Sequence, residues 1–420
     1  MNKTAVLSTA AIILALVAIL SIWAAVERLA AVETGIAKLQ TALQEVDTKV
    51  GTLQRQVENL TQIRQQLENV SRWAKAALSP SGDVAVRHAS LFSIRYDGSY
   101  YLLTDAMGRK ILLTPRGAHP EVYVEKYKPD LVVEYPVERA VFMSSTHVGL
   151  LYRLYIETKD VRLLKSVKGI MWGKEYEWYL EEVRDMLNNG TIVDVGPAYS
   201  PDVEKVAALR PEVVFVYFYP GPYGTESVIE KLKQLKIPYV VINEFQEATP
   251  LGRFEWIKFI ATFYNKTAEA ARLFSQVEAR WNSLAALVAD LERPRVAWFI
   301  IYGGVVYPAG VGARELIRLA GGRYAYANYS RVDMEVILKH RDVDILVWSG
   351  YGVQTVGDLV KIDKRLAELR PVVTGRVFAY SKAFWQLSHV YPERLLEELI
   401  WIIHPEVMPP GDFKLFVPLE

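Results

Sequence analysis

The sequence predicts an α/β protein of two lobes bridged by a long helix, preceded by a transmembrane helix and a coiled-coil stalk. Three observations predict it. An uncharged apolar run opens the chain, a heptad repeat follows, and from Glu138 onward buried-type strands alternate with helical segments. The chain has 420 residues, enough for two or three domains at roughly 100–200 residues each. A content of 51% hydrophobic and 23% charged residues fits a folded protein and argues against disorder. The 49 Lys and Arg against 48 Asp and Glu leave a net charge of +1, without the basic excess of a nucleic-acid binder. The cysteine count is 0, which excludes disulfides, thiolate metal sites, cysteine nucleophiles and lipid attachment through cysteine.

From Thr4 to Val26 no residue is charged. About 20 apolar residues cross a hydrocarbon layer about 30 Å thick. Lys3 precedes the run while Glu27 and Arg28 follow it, so the N-terminus is expected in the cytoplasm and the remainder outside. The alternative is a signal peptide cleaved near Ala24 or Ala25, for which the run is long. Residues 1–26 are therefore taken as a transmembrane anchor.

Leu29, Val32, Ile36, Leu39, Leu43, Val46, Val50, Leu53, Val57 and Leu60 are spaced 3, 4, 3, 4 without a break. Such spacing keeps a narrow seam turned toward a partner helix. Residues 27–78 read as a coiled-coil stalk and imply a homo-oligomer; the alternative is an amphipathic helix lying on its own globular part. After Leu60 the rhythm slips, with Arg64 in a seam position, as in a stammer. The turn-rich Ser79-Pro80-Ser81-Gly82 marks a boundary.

Residues 83–250 read as an N-terminal α/β lobe with edge hairpins, the first turning at Asp97-Gly98 and the next at Met107-Gly108-Arg109. "RAVFMSS", "VKGIMW", "TIVDVG", "EVVFVYFY" and "YVVINEF" read as strands with helices between them, the helix after "TIVDVG" opening with Ser200 as cap and Pro201 in first position. The continuous apolar runs fit a parallel sheet covered on both faces. Residues 251–292 are a helical bridge interrupted near Asn265, and 293–420 form a second βαβ series, the C-terminal lobe.

No dinucleotide or nucleoside-triphosphate glycine loop is present, nor a GxSxG elbow. The six histidines show no zinc-helix spacing. These absences predict a protein that is not an enzyme and carries no cofactor. In open parallel sheets ligands sit outside the carboxyl ends of the strands. The segments after the strands there hold Trp172, Tyr176, Tyr199, Tyr217, Tyr219, Tyr223, Asn243 and Phe245 in one lobe, and Tyr302, Tyr307, Tyr324, Tyr326, Tyr351, Lys382, Phe384 and Trp385 in the other. His147 and His389, each just beyond a strand, are further candidates. Tyr and Trp offer rigid faces with one polar handle, which suits a bulky, partly polar ligand. The residues chosen as ligand contacts are His147, Trp172, Tyr176, Tyr199, Tyr219, Tyr223, Tyr302, Tyr351, Lys382 and Trp385.

From Glu138 to the end the chain resembles the substrate-binding proteins of ABC importers for iron–siderophores, haem and cobalamin. The resemblance rests on "VGPAYSPDVEKVAALRPEVVF", "TPLGRFEWIKFIATFYNKTAEAARLF", "LIRLAGGRYAYANYS" and "IIHPEVMPP". It implies two Rossmann-like lobes bridged by one rigid helix, an iron(III)–siderophore, cobalamin or related metal chelate as ligand, and an ABC permease with its ATPase as partner. It also implies an acidic residue on each lobe that docks on the permease. Glu204 matches the first; Arg318 occupies the second position, with Glu315 three residues earlier. Arg253 and Glu255 read as a structural pair on the bridge. Against the chelate stand two readings: a small oxyanion such as molybdate or tungstate, or a surface scaffold without transport. Five Asn-x-Ser/Thr triplets, at Asn59, Asn69, Asn189, Asn265 and Asn328, all fall on the expected outer side.

Overall fold

The computed structural model describes residues 3–77 and 82–420 apart from Tyr176, Pro222 and Tyr223. Two of the candidate ligand residues, Tyr176 and Tyr223, and the turn at Ser79-Pro80-Ser81 thus lie outside the described residues. The chain divides into two compact units, Met1–Ser79 and Pro80–Glu420.

The first unit is one helix, Lys3–Ala77, of 75 residues. At 1.5 Å per residue it is roughly 110 Å long. It contains one stretch long and apolar enough to cross a membrane, judged by length and composition. The heptad side chains from Leu29 to Leu60 lie open, from 46% exposed at Val50 to 69% at Leu39. Thr34, Thr41, Thr48, Thr52 and Thr61 donate their hydroxyls to carbonyls four residues back, so these polar side chains do not compete with the helix ladder.

The second unit contains three sheets. β1 (Gly82–Asp83), β2 (Ser93–Asp97), β3 (Tyr100–Thr104), β4 (Lys110–Pro115) and β5 (Leu131–Tyr135) pair in chain order, antiparallel except for the parallel β4–β5 contact. β6 (Ala140–Phe142), β7 (Val167–Ile170), β8 (Val193–Asp194), β9 (Val213–Val216) and β10 (Tyr239–Val241) form the parallel sheet of the first lobe, in the order β10-β9-β6-β7-β8. In the second lobe β11 (Arg295–Tyr302), β14 (Ile345–Trp348) and β15 (Val377–Tyr380) are parallel neighbours. β12 (Val305–Pro308) and β16 (Phe416–Pro418) close it with antiparallel contacts, and β13 (Arg323–Tyr324) adds a short parallel one. β6, β9 and β14 are buried along their whole length, as a parallel sheet covered on both faces requires.

Between the lobes runs the helix Pro250–Thr262, followed after Asn265 by Thr267–Leu287. Pro250 takes the first helical position and the Thr249 hydroxyl accepts the Gly252 N–H at 3.0 Å. Every residue of Pro250–Thr262 is buried except Arg253. A helix buried on all sides must pair its charges internally. Glu255 does so, accepting Lys258 Nζ at 2.6 Å and the backbone N–H groups of Arg87, His88 and Ala89. Lys258 also donates to the carbonyl of Ala85. Just ahead, Glu247 accepts Ser90 N–H, Leu91 N–H and Trp256 Nε1. The segment 85–91 is thus stitched to the bridge. Gly252 permits the approach, since a Cβ there would lie 2.8 Å from the His88 carbonyl oxygen.

Several helices are shorter than the sequence predicts. Ser200 and Pro201 precede their helix, Val203–Ala208, which is capped by Asp202 accepting the Lys205 N–H at 2.8 Å. A carboxylate one residue before the helix outcompetes the serine. Residues 173–175 and 177–180 are irregular, and the helix covers Glu181–Asn188. There Trp178 Nε1 donates to the Gly173 carbonyl at 3.2 Å.

Candidate functional site

The lobes face each other across a cleft built from segments that follow the strands. The outer chamber, about 360 Å³, is lined from the first lobe by Ser145, Glu177 and Tyr179, and from the second by Tyr351, Lys382, Trp385 and Gln386. The inner chamber, about 340 Å³, lies between Phe245–Ala248, the start of the bridge at Pro250 and Arg253, and second-lobe residues including Trp298, Gly312, Tyr380, Trp385, Ser388 and His389. Trp385 belongs to both chambers. Its ring stands edge-on to Tyr380 and Phe384, at 5.5 Å from each, and those two stack at 3.6 Å. Such contacts fix the indole as a rigid wall.

Polar contacts tie the lobes together. Buried Gln386 accepts the Tyr179 N–H at 2.9 Å and donates through Nε2 to the Glu177 carbonyl at 2.7 Å. Arg153, on the helix Ser145–Thr158, pairs with Glu393 on Pro392–Ile403 at 2.9 Å.

The structure places Tyr351, Lys382 and Trp385 together on the outer chamber. Tyr219 is half exposed and edge-on to Phe245, 6.4 Å away, which lines the inner chamber. Trp172 and Tyr199 meet edge to face at 5.7 Å and line neither chamber. Tyr302, 76% exposed, sits at the tip of the β11–β12 hairpin, paired with Val305 and away from both chambers. Tyr324 and Tyr326 lie in the core, and buried Asn243 holds the backbone of Phe218 rather than facing the cleft.

His147 is fully buried and lines neither chamber; its Nε2 donates to Glu244 at 3.0 Å, and Glu244, itself buried, also accepts from the Thr146 hydroxyl. Burial alone would raise the Glu244 carboxyl, but His147, His389 and Thr146 outweigh it and bring it down to about 2. His389 lines the inner chamber; burial, with the Arg253 charge beside it, pushes it down to about 4 despite Glu244.

Arg253 corrects the expected pairing with Glu255. Residues two apart on a helix do not face each other. Glu255 turns to Lys258 and segment 87–89, whereas Arg253 turns into the inner chamber and, among the described residues, donates only through Nε to the Glu247 carbonyl, at 3.3 Å. Sequence reasoning missed Arg253, Gln386 and Glu244. The spacing rule was the available signal for Arg253; nothing local marked the other two.

The imidazole of His389 gives a testable pH dependence. Its folded value of about 4 lies below the ordinary value of about 6.5. Between those limits the unfolded chain takes up a proton that the folded one refuses, so stability is full above pH ~6.5 and falls as pH drops toward 4. His389→Gln is expected to flatten that part of the stability–pH curve, measured by urea unfolding at a series of pH values; an unchanged slope would show that His389 titrates normally.

Comparison with known proteins agrees with this architecture. A family profile described as periplasmic binding protein matches residues 162–383. An uncharacterized lipoprotein of Methanocaldococcus jannaschii is 31% identical over 318 residues, covering 73% of this chain and 75% of its own. Another uncharacterized lipoprotein of that organism is 26% identical over 379 residues, covering 83% and 89%. Among solved structures, a periplasmic solute binding protein from Veillonella parvula superposes with a TM-score of 0.53 at 19% identity, over 74% of this chain and 88% of that one. A TroA-like periplasmic binding protein, FepB, from the same organism gives 0.50 at 16% identity, over 76% and 99%. Two lobes, a buried bridging helix and a cleft between them, together with these matches, establish that the chain belongs to the periplasmic binding protein family, the substrate-binding proteins of ABC importers.

Proposed function

We propose that the protein is a membrane-anchored extracytoplasmic binding protein that captures an iron(III)–siderophore, cobalamin or related metal chelate and delivers it to an ABC permease, performing no chemistry itself. The observation that carries this reading is the cleft, to which both lobes and the bridge contribute and whose two chambers meet at a fixed tryptophan. Chambers of about 340 and 360 Å³ suit a bulky guest better than a bare oxyanion. Rigid rings lose little entropy on contact, so capture rests on displaced water rather than on remodelling of the walls. Molybdate or tungstate is the second reading, favoured by the arginine in the inner chamber.

The apolar part of Lys3–Ala77 serves as the anchor in a chain without cysteine, its N-terminus cytoplasmic and the binding unit outside. The open heptad seam is covered by the same seam of another copy. Copies inserted in one membrane with one orientation run parallel, which places Arg28 of one helix opposite Glu33 of its neighbour. Glu204 is exposed and forms no ion pair among the described residues, which leaves it free for an arginine of the permease. Glu315 is bound by Arg318 through two contacts of 2.6 and 2.8 Å, so that face offers a neutral pair instead of a bare carboxylate.

Three outcomes are expected. Ferric siderophores, cobalamin, haem and oxyanions titrated against intrinsic tryptophan fluorescence should single out a chelate, and Trp385→Ala should weaken it about tenfold or more; silence toward all of them would leave only the scaffold reading. Glu204→Arg should abolish uptake in cells while the purified protein binds as before, and full uptake would reduce Glu204 to a helix-start residue. Leu39→Asp with Val46→Asp should convert an oligomer to a monomer in sedimentation of the detergent-solubilised chain; a wild type that is already monomeric removes the stalk partner.

A further inference from the structure

We propose that the ligand carries an anionic group, a carboxylate or other oxyanion, and that Arg253 seats it at the floor of the inner chamber. This rests on the ligand-capture reading of the cleft and names the chemistry that the cleft selects. Arg253 is the only residue of Pro250–Thr262 that is not buried, and the cavity is what it faces. Its guanidinium forms no ion pair among the described residues, and only Nε has a hydrogen bond, to a carbonyl.

Two carboxylates act on Arg253 through space, Glu244 and Glu247. Neither is free to pair with it. Glu247 is occupied by Ser90, Leu91 and Trp256, and Glu244 by His147 and Thr146. Partial burial beside the cavity lowers the Arg253 pKa against the pull of Glu244 and Glu247. A guanidinium partly withdrawn from water without a counter-ion carries a cost, which an arriving anion offsets by accepting two parallel N–H···O bonds.

The neighbours on the floor fit the same guest. A Cβ on Gly312 would lie 3.3 Å from Arg253 Nη2, so the glycine lets the guanidinium lie against the backbone that opens the helix Val311–Leu319. The first N–H groups of that helix have no intrahelical acceptor. His389 also lines the floor and has no hydrogen bond to a described residue. As a neutral ring it donates to an anion without adding a charge that must be buried in the empty state.

The test uses the full-length protein in detergent and three probes: ferric citrate as an anionic chelate, ferrichrome as a neutral one and molybdate as a free oxyanion. The expected result is that ferric citrate binds more tightly than ferrichrome, that Arg253→Gln weakens ferric citrate about 30-fold or more, and that the citrate-to-ferrichrome ratio falls at least about tenfold. Arg253→Lys should fall between, since a lysine keeps the charge and loses the fork. Gly312→Ala, which keeps the arginine and crowds it, should lower the same ratio and guards against misfolding of the first variant, with thermal melts as control. Equal binding of both chelates, or a ratio unmoved in all three variants, overturns the anionic assignment and leaves chelate capture standing. Molybdate binding that depends on Arg253, without either chelate, supports the anion seat and overturns the chelate. No binding of any probe overturns both.

Discussion

The helix Pro250–Thr262 is the constraint from which the rest of the second unit follows. It is enclosed by both lobes and by Thr267–Leu287, so it cannot bend or slide without opening the core. Its two interior charges are admissible because Glu255 and Lys258 satisfy each other and hold backbone groups of segment 85–89. A binding protein built on such a bridge has a cleft that is largely preformed. The Gln386 and Arg153–Glu393 contacts across the lobes further limit closure. Selectivity then depends on what the fixed walls present, rather than on a large folding of one lobe over the other.

Those walls divide the work. Trp385, braced by Tyr380 and Phe384, gives a flat apolar face common to both chambers. The inner chamber concentrates charge where the dielectric is low: Arg253, Glu247 and His389 line it, and the buried Glu244–His147 pair acts on it from behind. Electrostatic interactions there are strong in either direction, attractive to a matching guest and repulsive to a mismatched one. The carboxylates are fully occupied, which fixes their positions and leaves Arg253 and His389 as the groups with hydrogens to offer.

The parts of this structure legible in the sequence were those where a single physical rule dominates. Short continuous apolar runs rich in β-branched and aromatic residues, such as "EVVFVYFY", read as covered strands, of which Val213–Val216 forms the strand, and the interruption near Asn265 is visible as the end of one helical pattern and the start of another. Cleft positions after strands were legible for Tyr351, Lys382 and Trp385, because β14 and β15 run parallel and end together. The same rule misplaced Tyr324 and Tyr326. β13 is a two-residue contact at the opposite end of β11, and the chain after it dives into the core. Arg253 was hidden by its neighbour Glu255, since proximity along the chain imitates pairing where helix geometry forbids it. Gln386 and Glu244 draw their roles from partners more than 90 positions away, which no local pattern encodes.

The stitching of residues 85–91 to the bridge has a mechanical consequence. The chain that continues from β1 is clamped to the bridge through several hydrogen bonds that share a load in parallel, on the part of the second unit that deforms least. A pull on that segment is resisted by the bridge and not by the cleft walls, so the spacing of the two jaws is insulated from it.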